Sequence, residues 1–113
     1  MKTVTILKNG EPIARVWNAN TYFTRLRGLL GRSLEEGGGL LLTPCGSIHT
    51  FGMRYAIDAV YLDRSGRVLR VDEALPVNKA WPGVRGAKRV LELHAGYAAK
   101  RQIRPTDVLE VVP

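Results

Sequence analysis

Two stretches of alternating apolar and polar residues open the chain. Val4 and Ile6, then Ile13 and Val16, are β-branched positions separated by Lys8-Asn9-Gly10-Glu11-Pro12. Alternation with period two argues for half-buried strands, and Asn-Gly between two such runs is a strong hairpin signal. The period then changes. Tyr22/Phe23, Leu26 and Leu29/Leu30 recur every three to four residues, which predicts an amphipathic helix. Asn20 or Thr21 can cap its start and Gly31 can end it. A polar, glycine-rich loop over 33–39 leads to a short apolar strand, Leu40–Thr43.

Downstream, Ile57–Leu62 and Arg67–Asp72 flank Asp63-Arg64-Ser65-Gly66, which predicts a second hairpin. Pro76, Pro82, Gly83 and Gly86 mark residues 74–87 as mostly irregular. Arg89–Leu93 reads as a strand, Tyr97–Gln102 as a turn or two of helix, and Val108–Val112 as a closing strand. About seven short strands, one amphipathic helix and a short second helix predict a mostly β (α+β) fold. The expectation is a β-sandwich or a partly open barrel, with residues 1–113 as a single domain.

Composition narrows the class. With 113 residues, 45% of them hydrophobic and 24% charged, the chain can bury a core and is not disordered by composition. Apolar runs such as Leu40-Leu41-Leu42 fall far short of the ~20 residues of a spanning helix. Lys8-Asn9-Gly10 interrupts the first strand before a signal-peptide core can form, so a soluble, cytoplasmic protein without a membrane partner is expected. Cys45 is the single cysteine, which excludes an internal disulfide and a multi-cysteine zinc site.

The formal charge is +7, from 17 Lys+Arg against 10 Asp+Glu, and it is unevenly spread. Residues 1–32 and 85–104 each carry a net +5 around a nearly neutral middle. If both blocks fold onto one face, they form a footprint for nucleic acid. No glycine-rich phosphate loop or recognition-helix pattern accompanies them.

The densest polar chemistry lies between Cys45 and Asp58, where a thiol, an imidazole, a hydroxyl, a guanidinium and a carboxylate occupy fourteen residues. Asp58 shares one face of its strand with Val60 and Leu62, while Ile57, Ala59 and Tyr61 line the other. Both faces are apolar, so the carboxylate is expected to be buried and to need partners. It either accepts backbone N–H groups and pins the loop, or orients His49 or Arg54 toward a ligand. Cys45 with His49 is a weaker nucleophile–base pair. Cys45, His49 and His94 match no structural zinc spacing, and neither a metal nor a cofactor is expected. On the helix, Arg25, Gly28, Leu29 and Arg32 fall on one side. A mid-helix Gly28 suggests that something occupies the space between the two guanidiniums, close packing against a strand being the commoner explanation. Trp81 before Pro82-Gly83 is either a contact aromatic or a plug for the core.

At these residues the chain resembles the bacterial and archaeal family called domain of unknown function 192. The resemblance rests on Arg25-Leu26-Arg27-Gly28-Leu29-Leu30-Gly31-Arg32, on His49-Thr50-Phe51-Gly52-Met53-Arg54 with Ile57-Asp58, on Val90-Leu91-Glu92-Leu93 before Ala95-Gly96, and on Ile103-Arg104-Pro105-Thr106-Asp107. It runs from about residue 13 to 112. It implies a compact, mostly β sandwich with a short helix and no established activity. Leu30 stands where the family usually has Met, and Thr106 where Gly is common. The family's recurring residues fall here on Arg25, Gly28, Arg32, His49, Thr50, Met53, Arg54 and Asp58.

Three functional readings follow. The first is a non-catalytic binding or accessory domain that holds a small anionic ligand or a protein partner near His49–Asp58. Arg25, Arg32, His49, Thr50, Arg54, Asp58 and Trp81 are its candidate contacts. The second is a hydrolase or transferase with His49 as general base, Asp58 orienting it and Cys45 in reserve. The third is nucleic-acid binding through the two basic blocks, with affinity that falls steeply with salt.

Overall fold

The computed structural model describes residues 1–113. Nine strands and two short helices follow in the order β1 (Thr3–Lys8), β2 (Glu11–Ala19), α1 (Tyr22–Arg27), β3 (Gly39–Leu42), β4 (Ile48–His49), β5 (Ile57–Leu62), β6 (Val68–Leu75), β7 (Ala80–Trp81), β8 (Arg89–His94), α2 (Tyr97–Lys100) and β9 (Leu109–Val112). Seven strands form one curled sheet in the order β6-β5-β8-β3-β2-β1-β9, while β4 and β7 pair separately. Both predicted hairpins are present as the antiparallel pairs β1–β2 and β5–β6. Only β2 and β3 run parallel, because the chain leaves the sheet between them to build α1 and the loop behind it.

Of the two architectures expected, the structure is the partly open barrel. Its two edge strands meet at one end through an Arg67–Val108 bridge. Val68 N–H donates to Asp107 O at 2.8 Å, and Leu109 N–H donates to Gly66 O at 2.8 Å. Gly66 has φ +89, and a Cβ there would collide with the Leu109 carbonyl, so the seam closes only because residue 66 lacks a side chain. No helix is long and apolar enough to cross a membrane.

The sheet carries apolar residues on both faces, which is why β3, β5 and most of β8 are buried throughout. Inside the curl, Ile6, Val16, Leu41, Val60, Leu62, Leu91, Leu93 and Leu109 pack with Tyr97, Ala98 and Ile103 from the α2 region. Outside it, Leu40, Leu42, Ile57, Ala59, Tyr61 and Val90 form a second core. Leu29, Ile48, Met53, Tyr55 and Trp81, from the crossing segments, cover that outer face.

The predicted helix is shorter than its apolar period. Thr21 caps α1, accepting from Thr24 N–H, while Thr24 Oγ1 reaches back to the Thr21 N–H in a capping box. Gly28 then takes φ +54 and ψ −129 and ends the helix at Arg27. Gly28 is therefore a terminator and not a mid-helix gap, and an added Cβ would meet nothing closer than 3.8 Å. Arg32 lies beyond the helix, so Arg25 and Arg32 do not share a helical face.

Candidate functional site

Asp58 settles the first question of geometry. It is fully buried on the inner face of β5. One carboxylate oxygen accepts from Ala74 N–H at 2.8 Å; the other accepts from Gly96 and Ala98 N–H, each at 3.0 Å. Those three bonds tie β6 and the start of α2 to the sheet. His49 is exposed, on β4, among the segments that cover the outer face. The two side chains sit on opposite sides of β5, so Asp58 cannot orient His49, and the general-base pair of the second reading does not exist. Asp58 is the loop-pinning acceptor that its surroundings predict.

Two more expected contacts belong to the fold. Thr50 is fully buried; its hydroxyl donates to Pro76 O at 2.8 Å and accepts from Lys79 N–H at 3.1 Å, so it fastens the 76–79 loop to β4. Trp81 packs into the outer core, which gives it the plug role, and its Nε1 is buried without a partner.

What remains gathers under α1. A cavity of about 140 Å³ lies between α1, the 28–30 turn and the Pro44–Met53 segment. Arg25, His49, Cys45 and Ser47 line it, together with a carboxyl that the sequence reading passed over, Glu92. Glu92 sits on the outer face of β8, opposite Leu40 on one side and Ala59 on the other. It is 4% exposed, and no hydrogen bond of the chain reaches its carboxyl. Burial pushes its pKa up to about 8. At pH 7 it is mainly a neutral acid, able to donate its own proton. A signal was available: Glu92 interrupts an apolar strand, as Asp58 does.

The other polar groups around the cavity are also donors. Arg25 Nη1 is held by Thr43 O at 3.3 Å. His49 Nδ1 accepts from Phe51 N–H at 3.3 Å, which leaves the ring proton on Nε2. Burial pushes the Cys45 thiol up, and its S–H donates to Ser47 O at 2.9 Å. A protonated, hydrogen-bonded thiol is a poor nucleophile, so Cys45 does not supply the activated thiolate of a covalent mechanism. Leu26 and Phe51, both more than half exposed, also line the cavity, and Tyr22 and Phe23 stand exposed on the same helix.

Arg54 and Arg32 lie outside this cavity. They share a neighbouring groove with Tyr55 and His94, where Tyr55 Oη donates to Arg32 O at 2.8 Å. Members of the two basic blocks meet in a groove lined by Lys8, Lys100 and Arg101 beside the first hairpin, where Lys100 pairs with Glu36 and Lys8 lies 3.4 Å from Asp107. Arg89 instead stands near Gly66 at the seam.

Comparison with known proteins agrees with this architecture. A family model, DUF192, described as "Uncharacterized ACR", matches residues 4–111. A protein of unknown function from Novosphingobium aromaticivorans DSM 12444 superposes with a TM-score of 0.82 at 22% identity, covering 96% of this chain and 83% of the other. A Sinorhizobium meliloti 1021 protein provisionally described as a transcription regulator gives 0.81 at 23% identity, covering 96% and 92%. At these identities the likeness is one of fold. No curated protein matches the chain.

Proposed function

We propose, for a chain that belongs to the domain of unknown function 192 family, a non-catalytic role: it binds a compact carboxylate in the cavity under α1. The observation that carries this reading is Glu92, a buried carboxyl that no hydrogen bond of the chain reaches, facing a cavity lined by the donors Arg25, Arg27 and His49. A polar group held in a buried position is costly without a partner, and a ligand in the cavity would supply one. Protonated Glu92, Arg25 and His49 Nε2–H together call for an acceptor, and a carboxylate offers two oxygens to charge-assisted bonds.

Size limits the ligand. About 140 Å³ is close to an engineered cavity of ~150 Å³ that accepts benzene, and below the ~300–1,000 Å³ of drug-sized sites. A single acidic side chain or a short carboxylic acid fits. The exposed Tyr22, Phe23, Leu26 and Phe51 favour a partner protein as the carrier, since they offer apolar contact to a surface around the inserted group.

Titration with acetate, propionate and isobutyrate, against their amides, tests the proposal. Carboxylates should raise the melting temperature saturably at pH 6.5. Their affinity should fall as pH rises through about 8, where Glu92 ionises and repels them. Glu92→Gln should retain binding at pH 9. Equal binding of acids and amides, or no binding of either, would refute it.

A further inference from the structure

We infer that the face of the sheet beside α1 carries a second site, for the phosphate group of a small phosphorylated molecule; Arg27 stands between it and the cavity under α1 and lines both. A cleft of about 560 Å³ opens between β1, β2 and the 27–39 segment; Arg15, Arg27 and Arg32 line it with Trp17, Ser33 and Glu35. Its volume is within the ~300–1,000 Å³ range of small-molecule sites.

Three features distinguish it from a solvated basic surface. None of the three guanidiniums forms an ion pair; the chain's ion pairs are Lys8–Asp107, Arg70–Asp72 and Lys100–Glu36. Each is held by one protein oxygen: Arg15 by Thr5 Oγ1, Arg27 by Leu30 O at 3.2 Å and Arg32 by Gly28 O at 3.4 Å. Arg32 is further fixed 5.0 Å over the Trp17 ring. Most of their N–H donors therefore remain free on side chains whose positions are already set, which lowers the ordering cost of binding.

The ligand class follows from charge and geometry. Three arginines against Glu35, the cleft's one acidic group, leave a net +2, more than a single carboxylate neutralises. A phosphate monoester near pH 7 carries close to two negative charges and three acceptor oxygens, and guanidinium forks match it bidentately. Arg32 covers Trp17, so the ring is not offered as a platform for stacked bases.

The test uses the full chain at constant ionic strength, with inorganic phosphate, glucose 6-phosphate, glucose and an oligo-dT as probes. The readout is Trp17 fluorescence in a Trp81→Phe background. Glucose 6-phosphate should bind saturably and glucose should not. Arg15→Gln with Arg32→Gln, neither of which lines the cavity under α1, should weaken glucose 6-phosphate binding at least tenfold, and Glu92→Gln should leave it unchanged. Three results would overturn the inference: no saturable binding of either phosphate probe, binding indifferent to the double substitution, or salt-sensitive oligo-dT binding without glucose 6-phosphate binding. Failure of the carboxylate site would leave these results untouched, because the two sites are read by different ligands and variants.

Discussion

Asp58 and Glu92 are two buried carboxyls on adjacent strands, and their fates are opposite. Asp58 points inward and meets three N–H groups; Glu92 points outward and meets none. Removing the first leaves three N–H donors without their acceptor, that of Ala98 buried and those of Ala74 and Gly96 partly so; an unmet buried donor costs ~1–3 kcal/mol. Asp58→Ala should therefore cost about 3 kcal/mol or more in urea denaturation, a large share of the ~5–15 kcal/mol typical of a domain. The second acts on pH. Its folded pKa lies near 8, above the ordinary 4.5, so between those values the folded state holds a proton that the unfolded state has lost. Stability from this group is complete below about pH 4.5 and declines by up to ~1.4 kcal/mol per pH unit until about pH 8. Glu92→Gln should flatten that slope in melting temperature; an unchanged slope would show that Glu92 does not cause it. The burial of Asp58 was legible because apolar residues flank it on both faces of its strand. Glu92 gave the same signal from Val90-Leu91-Glu92-Leu93, but it enters a charge count as a solvated group. Alternation reports burial and not whether a partner waits.

At the level of elements, the strands followed their patterns closely, and the helix did not. Leu29 and Leu30 continue the helical period past Gly28, because a turn beneath the sheet can bury a leucine as well as a helix can. Backbone conformation at Gly28 decided the end, and period alone does not report it. β4 and β7 escaped the sequence reading since two residues each carry no measurable alternation. Closure at the β6–β9 seam was equally hidden, being set by contacts between residues about forty apart. Gly66→Ala should break it. The amides of Val68 and Leu109 should then exchange with solvent faster, while those in β5 and β8 keep their protection.

Taken whole, the molecule is one sheet serving two cores, and each central strand belongs to both. Leu91→Ala opens the inner core and should cost ~2–5 kcal/mol. The resulting unfolding should still be a single transition. Trp17 and Trp81, both on the outer side, should report the same midpoint as circular dichroism; separate midpoints would mean that the cores melt independently. Fold class, hairpins and the general neighbourhood of the site were readable from residue pattern, because they follow from local periods and turn chemistry. The choice between barrel and sandwich was not, and neither was the division of the arginines between a cavity and a cleft.

The parallel pairing of β2 with β3 has one more consequence. The chain departs at Ala19 and returns at Gly39 to the adjacent strand, so the nineteen-residue excursion between them is anchored at both ends on one fixed frame. Lengthening such a loop is cheap, ~0.6 kcal/mol per doubling, and alters no strand register. Glu92 and Trp17 stay with the frame, while Arg25, Arg27 and Arg32 travel with the excursion. The proposed cavity and cleft are in that sense each built from two parts: exchanging residues 20–38 between family members would replace Arg25, Arg27 and Arg32 and leave Arg15, Trp17, His49 and Glu92 on an unchanged foundation.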